Sequence, residues 1–187
     1  MTEQDASQSV TVGTVRSRTE KEAEVVRWLL TAAADKRQAL EEWRQSGVAL
    51  LECGDVFEAV RIPAHFVQAA AASYEPDRVD KYLAHAVFGG PVIIDPHSRW
   101  YYALVPPGTA ERWRHRRVLE TDCLRTGSVL GVPHPTVFAR GAQVAHSYWV
   151  VPMNAPEALC LPRAVFELAA YGRFVHEAIT AEKEKGA

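Results

Sequence analysis

The sequence predicts an α+β fold: a mixed or antiparallel sheet flanked by helices, preceded by a helical segment and closed by a C-terminal helix. Three observations predict it. Val26, Leu29, Leu30 and Ala33 early in the chain, and Val165, Leu168, Val175 and Ile179 late in it, recur at helical spacing. Val92, Ile93 and Ile94 form an apolar run of strand length, and 100–105 is aromatic and β-branched. Between those two runs Asp95-Pro96-His97-Ser98 supplies turn chemistry, because proline presets φ and the flanking Asp and Ser bond nearby backbone.

Residues 1–17 are polar and aperiodic and are expected to form a flexible arm. Thr19 and Glu22 then have capping-box spacing, which opens a helix. Asp35-Lys36-Arg37 interrupts its stripe, which resumes at Leu40 and Trp43, so the segment is either one bent helix or two, the second capped by Asp35. Gly47 suits the C-terminal cap, making 18–46 a helical segment and 47–187 the α+β domain. The stripe of Leu29, Leu30, Leu40 and Trp43 is expected to pack on that domain, with a second copy of the chain as the alternative.

Residues 48–51 and 56–62 read as strands either side of the turn signal Cys53-Gly54-Asp55. Pro63 fits the first position of a helix running to about Ala72, and Pro76-Asp77 opens another that ends near Gly89. The segment from Gly89 to Gly108 is a hairpin closed by a double proline. A short charged helix around Arg112 follows, then strands at 128–132 and 147–151 joined by a loop over 134–145. Pro162 starts the terminal helix, in which Gly172 is a weak point.

With 187 residues and 48% of them hydrophobic, the chain can bury one substantial core. No apolar run approaches the ~18 residues of a membrane span, and the polar start lacks a secretory pattern, so a cytoplasmic protein without a membrane partner is expected. Cys53, Cys123 and Cys160 are too scattered for a metal motif and read as reduced, buried thiols. His97, His134 and His146 with Asp95 match no compact ligand spacing either. The serine-hydrolase elbow and both glycine-rich phosphate loops are missing from the sequence.

A net charge of −2 gives no global attraction for nucleic acid, so any such partner needs a local patch. Arg112, Arg114, Arg116 and Arg117, with Trp113 inside the run, form one: arginines fork onto phosphates and the indole stacks on a base. The competing reading is a solvated helix face with Trp113 turned inward. Arg61 and Arg99 extend the patch if they emerge on the sheet's open face.

Several short pieces occur in a telling order: Gly54-Asp55-Val56-Phe57-Glu58-Ala59-Val60-Arg61-Ile62-Pro63, Gly89-Gly90-Pro91-Val92, and the run from Trp100 to Gly108. Gly127-Ser128-Val129-Leu130-Gly131-Val132-Pro133 and Tyr148-Trp149-Val150-Val151-Pro152 follow. This order resembles the primase/polymerase-like (prim-pol) domain of the archaeo-eukaryotic primase superfamily, in its small actinobacterial versions with eroded sequences. The resemblance implies an RRM-related core. It also implies a metal-dependent nucleotidyl transferase, with acidic residues on adjacent strands holding divalent metals and a hairpin histidine contacting the incoming nucleotide. Two metals about 3.5–4 Å apart need carboxylates that point the same way, and in a strand only even spacing achieves that. Here Glu58 is followed two residues on by Val60, the hairpin has Ser98-Arg99-Trp100 where the histidine is expected, with His97 nearby in the turn, and 127–133 contains no acid. Asp122, the nearest acid, is expected to precede that strand.

The leading expectation is therefore a catalytically degenerate prim-pol-like domain that binds nucleic acid or protein and needs no cofactor. One alternative is an active transferase using Mg or Mn at a rearranged set of Glu58, Asp95 and His97. Another is a protein-partner adaptor or homodimer with no nucleic-acid role.

Overall fold

The computed structural model describes residues 17–114, 120–138 and 146–186, so most of the expected arm lies outside the described residues. Helix α1 (Arg18–Leu29) starts one box earlier than Thr19 suggests. Ser17 is the cap: its Oγ accepts the Glu20 N–H at 3.2 Å while Glu20 Oε2 accepts the Ser17 N–H at 2.8 Å. A 3-10 turn (Leu30–Ala32) separates it from α2 (Lys36–Ser46), where Asp35 accepts the N–H groups of Arg37 and Gln38. The interruption is thus a break between two helices. Gly47, at φ 75°, ends α2 in the left-handed conformation that glycine adopts without steric cost.

The strands form two sheets where one was expected. β1 (Val48–Glu52) and β2 (Glu58–Pro63), neighbours in sequence, belong to different ones. β3 (Val92–Asp95) and β4 (Trp100–Val105) form the expected hairpin, and α3 (Ala64–Ala70), α4 (Pro76–Ala86) and α5 (Thr109–Trp113) lie where sequence places helices. A three-residue strand, β5 (Asp122–Leu124), was not legible; β6 (Val129–Pro133), β7 (Tyr148–Val151) and α6 (Pro162–Lys185) were. β1 pairs with β6, and the larger sheet runs β5-β2-β4-β3-β7, antiparallel in every ladder among the described residues. The mixed-sheet option is therefore not realised; a lone bridge between Phe138 and Trp149 is parallel.

Strand alternation sends β2 and β4 side chains into two cores. On one face Val60, Ile62, Tyr101, Ala103 and Val105 pack with Phe66 and Val67 of α3, Leu83 of α4, and Val165, Leu168 and Ala169 of α6. On the other, Ala59, Ile93, Leu104 and Trp149 pack with Val25 and Leu29 of α1, Ala39 and Trp43 of α2, and Leu51, Leu130 and Val132 of the small sheet. Each fully buried Leu, Val or Phe here contributes roughly 1.5–3 kcal/mol relative to exposure. Two indoles stitch the second core: Trp43 Nε1 donates to the Val132 carbonyl at 2.8 Å and Trp149 Nε1 to the Pro133 carbonyl at 3.0 Å.

The helical stripe before Gly47 thus packs on the sheet domain, except that Leu40 is 48% exposed and Ala39 takes its place inside. Gly172 is a contact point, because a Cβ there would overlap the Phe66 carbonyl of α3. The buried residues of α6 end at Gly172, so Val175 and Ile179 do not continue the buried face begun by Val165 and Leu168. The three thiols are free and buried; burial pushes Cys53 and Cys160 up to about 12 and Cys123 still higher, where they are unreactive. No helix among the described residues is long and apolar enough to cross a membrane.

Candidate nucleic-acid interface

The second face of the larger sheet is only half covered. At one end Ala59, Leu104, Ile93 and Trp149 lie under α1, α2 and the small sheet. Toward the other end the same face carries Arg61, Trp100, Tyr102, Asp122 and Asp95, which register puts in adjacent rows: Arg61 pairs with Tyr102 and Asp122, and Trp100 with Pro63 and Asp95. Arg61 and Asp122 side chains are 42% and 61% exposed, and the two rings are half-buried. This is an aromatic and charged floor on a rigid sheet.

Arg61 organises it. Its guanidinium carbon lies 5.0 Å from the centre of the Trp100 ring, and Nη2 is 3.8 Å from Asp122 Oδ2. Its Nε is buried without a hydrogen-bond partner among the described residues, an unusual cost for a donor of this strength. Beside it burial raises the Tyr102 phenol, with the charge of Asp95 adding, while a hydrogen bond with Ser98 and the charge of Arg61 oppose.

The turn holds the other sequence-derived candidates. Asp95 is committed to local structure: Oδ1 accepts the N–H groups of His97 at 3.0 Å and Ser98 at 3.3 Å, and Oδ2 accepts the Ser98 hydroxyl at 2.6 Å. His97 is exposed at the tip. Arg99 adopts φ 61°, and its carbonyl accepts the Ala64 N–H at 2.9 Å, tying the turn to the start of α3.

Glu58 is elsewhere. It points to the opposite face, is 6% exposed, and its Oε2 accepts the Ala110 N–H at 2.6 Å with Cys123 Sγ 3.8 Å away. Its carboxylate caps the start of α5. Glu58 pairs with Val105 and Asp95 with Trp100, so the two acids, on strands either side of β4, are five positions apart, about 17 Å along the strand direction alone. Glu58, Asp95 and His97 are therefore not brought together. Asp122 lies ahead of the strand over 128–132, as expected, and opens β5 beside β2, where it faces Arg61. It lies three strand spacings from β3, which carries Asp95, about 14 Å, too far for a shared pair of metals. No three His, Cys, Asp or Glu groups converge on a common point among the described residues.

The basic run is divided. Arg112 and Arg114 are exposed on and just after α5, beyond the Val105 end of β4, whereas Arg99 precedes its Trp100 end. They do not extend the Arg61 floor. Trp113 is 7% exposed and packs edge-on against Phe166 at 5.9 Å, the inward orientation, which removes it as a stacking platform. Arg116 and Arg117 lie outside the described residues. His134 bonds Thr136 Oγ1 at 2.8 Å and sits edge-on to Trp43, and burial lowers its pKa.

In the sequence Trp100 and Tyr102 are legible only as strand formers. Their period-two spacing with Leu104 was the available signal, but which face would remain open depended on the small sheet and α2. Comparisons with family models, with curated proteins and with solved structures found no match.

Proposed function

We propose that this chain is a non-catalytic, prim-pol-like domain whose half-open sheet face binds single-stranded nucleic acid. The observation that carries the reading is Arg61 lying over Trp100, beside Tyr102, on the uncovered part of the central strands. A rigid aromatic pair with a guanidinium offers stacking surface to bases of any sequence, worth about 1–3 kcal/mol per base. Asp122 and Asp95 on the same face disfavour phosphates directly above it, so binding rests on bases more than on backbone charge. The separation of Glu58 from Asp95 and His97 supports the loss of transferase chemistry.

Fluorescence anisotropy with labelled oligo-dT and oligo-rU tests this. The full chain is expected to bind with a shallow salt slope, Trp100→Ala to weaken binding about tenfold or more, and Glu58→Gln to leave it unchanged. Template-dependent nucleotide incorporation with Mg or Mn is expected to be absent. Binding insensitive to Trp100, or incorporation lost in Glu58→Ala, overturns the proposal.

A protein partner is the second reading, favoured by Tyr171 and Phe174 of α6, which are 53% and 68% exposed. Association of that kind responds to Phe174→Ser and hardly to salt.

A further inference from the structure

On the closed side of the sheet, between α5 and the first turn of α6, lies a cavity of about 320 Å³. Pro106, Trp113, Pro162 and Phe166 give it apolar walls, and Arg112 and Arg163 stand with them. Its volume is at the lower end of sites for small organic ligands. Two features mark it as more than a packing defect. Trp113 is 7% exposed, yet its indole N–H is buried with no acceptor among the described residues, and the ring lines the cavity. A buried N–H of this kind usually has a partner.

The second feature is the start of α6. Leu161 offers no side-chain cap, Pro162 has no N–H, and the first helical bond runs from the Val165 N–H to the Leu161 carbonyl at 3.2 Å. The N–H groups of Arg163 and Ala164 therefore precede the hydrogen-bonded ladder at the positive end of a 24-residue helix. Arg163 is held by Glu167 at 2.7 Å, whereas Arg112 has no carboxylate partner among the described residues. One uncommitted cation, a helix N-terminus and an orphan indole donor surround an apolar slot.

We infer that this cavity binds a small monoanion with a flat apolar body, of the aromatic carboxylate class. The body fills the space between Trp113, Phe166 and the two prolines. The carboxylate lies toward Arg112 and the first turn of α6, accepting from their N–H groups, while the indole ring packs against the apolar body. This site is independent of the sheet-face proposal, since α5 and α6 cover the opposite face.

The probe is 1-naphthoate, titrated into the full ¹⁵N-labelled chain while indole N–H resonances are followed. The chain has five tryptophans, and Trp113→Phe identifies the signal that matters while keeping the wall aromatic. Naphthoate is expected to move that signal saturably and leave those of Trp43 and Trp149 in place. The neutral 1-naphthamide should bind at least tenfold more weakly, and Arg112→Gln should weaken naphthoate at least threefold with the other indole signals unshifted, which shows that the variant is folded. No saturable shift, equal binding of the amide, or a tighter response to inorganic phosphate or a nucleoside monophosphate overturns the inference.

Discussion

The two faces of the five-stranded sheet are made by the same strands yet use polar residues in opposite ways. On the face against α3, α4 and α6, the buried acid Glu58 spends its carboxylate on the Ala110 N–H and so belongs to the scaffold. On the other, cover stops at Leu104 and Ile93, and Arg61, Tyr102, Trp100 and Asp122 are left half in solvent. One position along a strand separates a structural group from an available one. A clamp for two metals needs several acids on one face, and here alternation and register scatter them.

The largest blow to this comparison comes from the covered half of the second face. Trp149→Ala removes a fully buried indole and its bond to the Pro133 carbonyl between the two sheets, and is expected to cost about 3–5 kcal/mol by urea denaturation. A loss below about 1 kcal/mol would mean the small sheet is not anchored there. On the closed face Gly172→Val forces α6 away from the Phe66 carbonyl and is expected to cost roughly 2–3 kcal/mol. Replacing a helical glycine usually gains up to about 1 kcal/mol of propensity, so the sign of the change reports the contact.

Local chemistry made most elements legible. Asp35, Gly47, Pro76 and the Asp95 turn mark boundaries through hydrogen bonds or φ preferences acting within a few residues. Partnership was not legible: nothing near Val48 says that β1 pairs with β6, about eighty residues on, and that pairing decides which half of the sheet is covered. β5 escaped because three residues carry no periodicity. The candidate site divides in the same way. Arg61 is legible as a cation of the open face only if it emerges there, Trp100 and Tyr102 are legible only as strand formers, and Trp113 stays open between a stacking surface and an inward ring, because burial of an aromatic is settled by elements far away in sequence.

Polar groups of the closed face are expected to give smaller changes. Glu58→Ala leaves the Ala110 N–H without its acceptor and is expected to cost about 1–2 kcal/mol, Glu58→Gln less, since an acceptor oxygen remains. Manganese that raised the melting temperature of the parent chain but not of Glu58→Ala would reassign this carboxylate from scaffold to ligand. Asp80 of α4 provides a pH test on the same side: burial pushes its carboxyl from 3.8 up to about 6. Between roughly pH 4 and 6 the folded chain keeps a proton that the unfolded chain has released, so this group's contribution makes stability fall as pH rises through that window. Asp80→Asn should therefore stabilise at pH 8 relative to pH 4, by on the order of 1 kcal/mol after solvent screening, and flatten the slope.

Arg61 should show the smallest effect on stability and the clearest separation of the two faces. Its pairing with Asp122 is long and exposed, its contact with Trp100 is worth about 0.5–1 kcal/mol, and its unpartnered Nε offsets part of both. Arg61→Ala is thus expected to change unfolding free energy by no more than about 0.5 kcal/mol, while oligonucleotide affinity falls severalfold. A double-mutant cycle with Trp100→Ala tells what the pair is for, because residues in contact reveal their coupling as a departure from additivity. Coupling in oligonucleotide affinity with little in stability places the pair with the ligand. Coupling of 1 kcal/mol or more in stability, with affinity unmoved, makes the open end of the sheet as structural as the closed face and removes the ground for a nucleic-acid role.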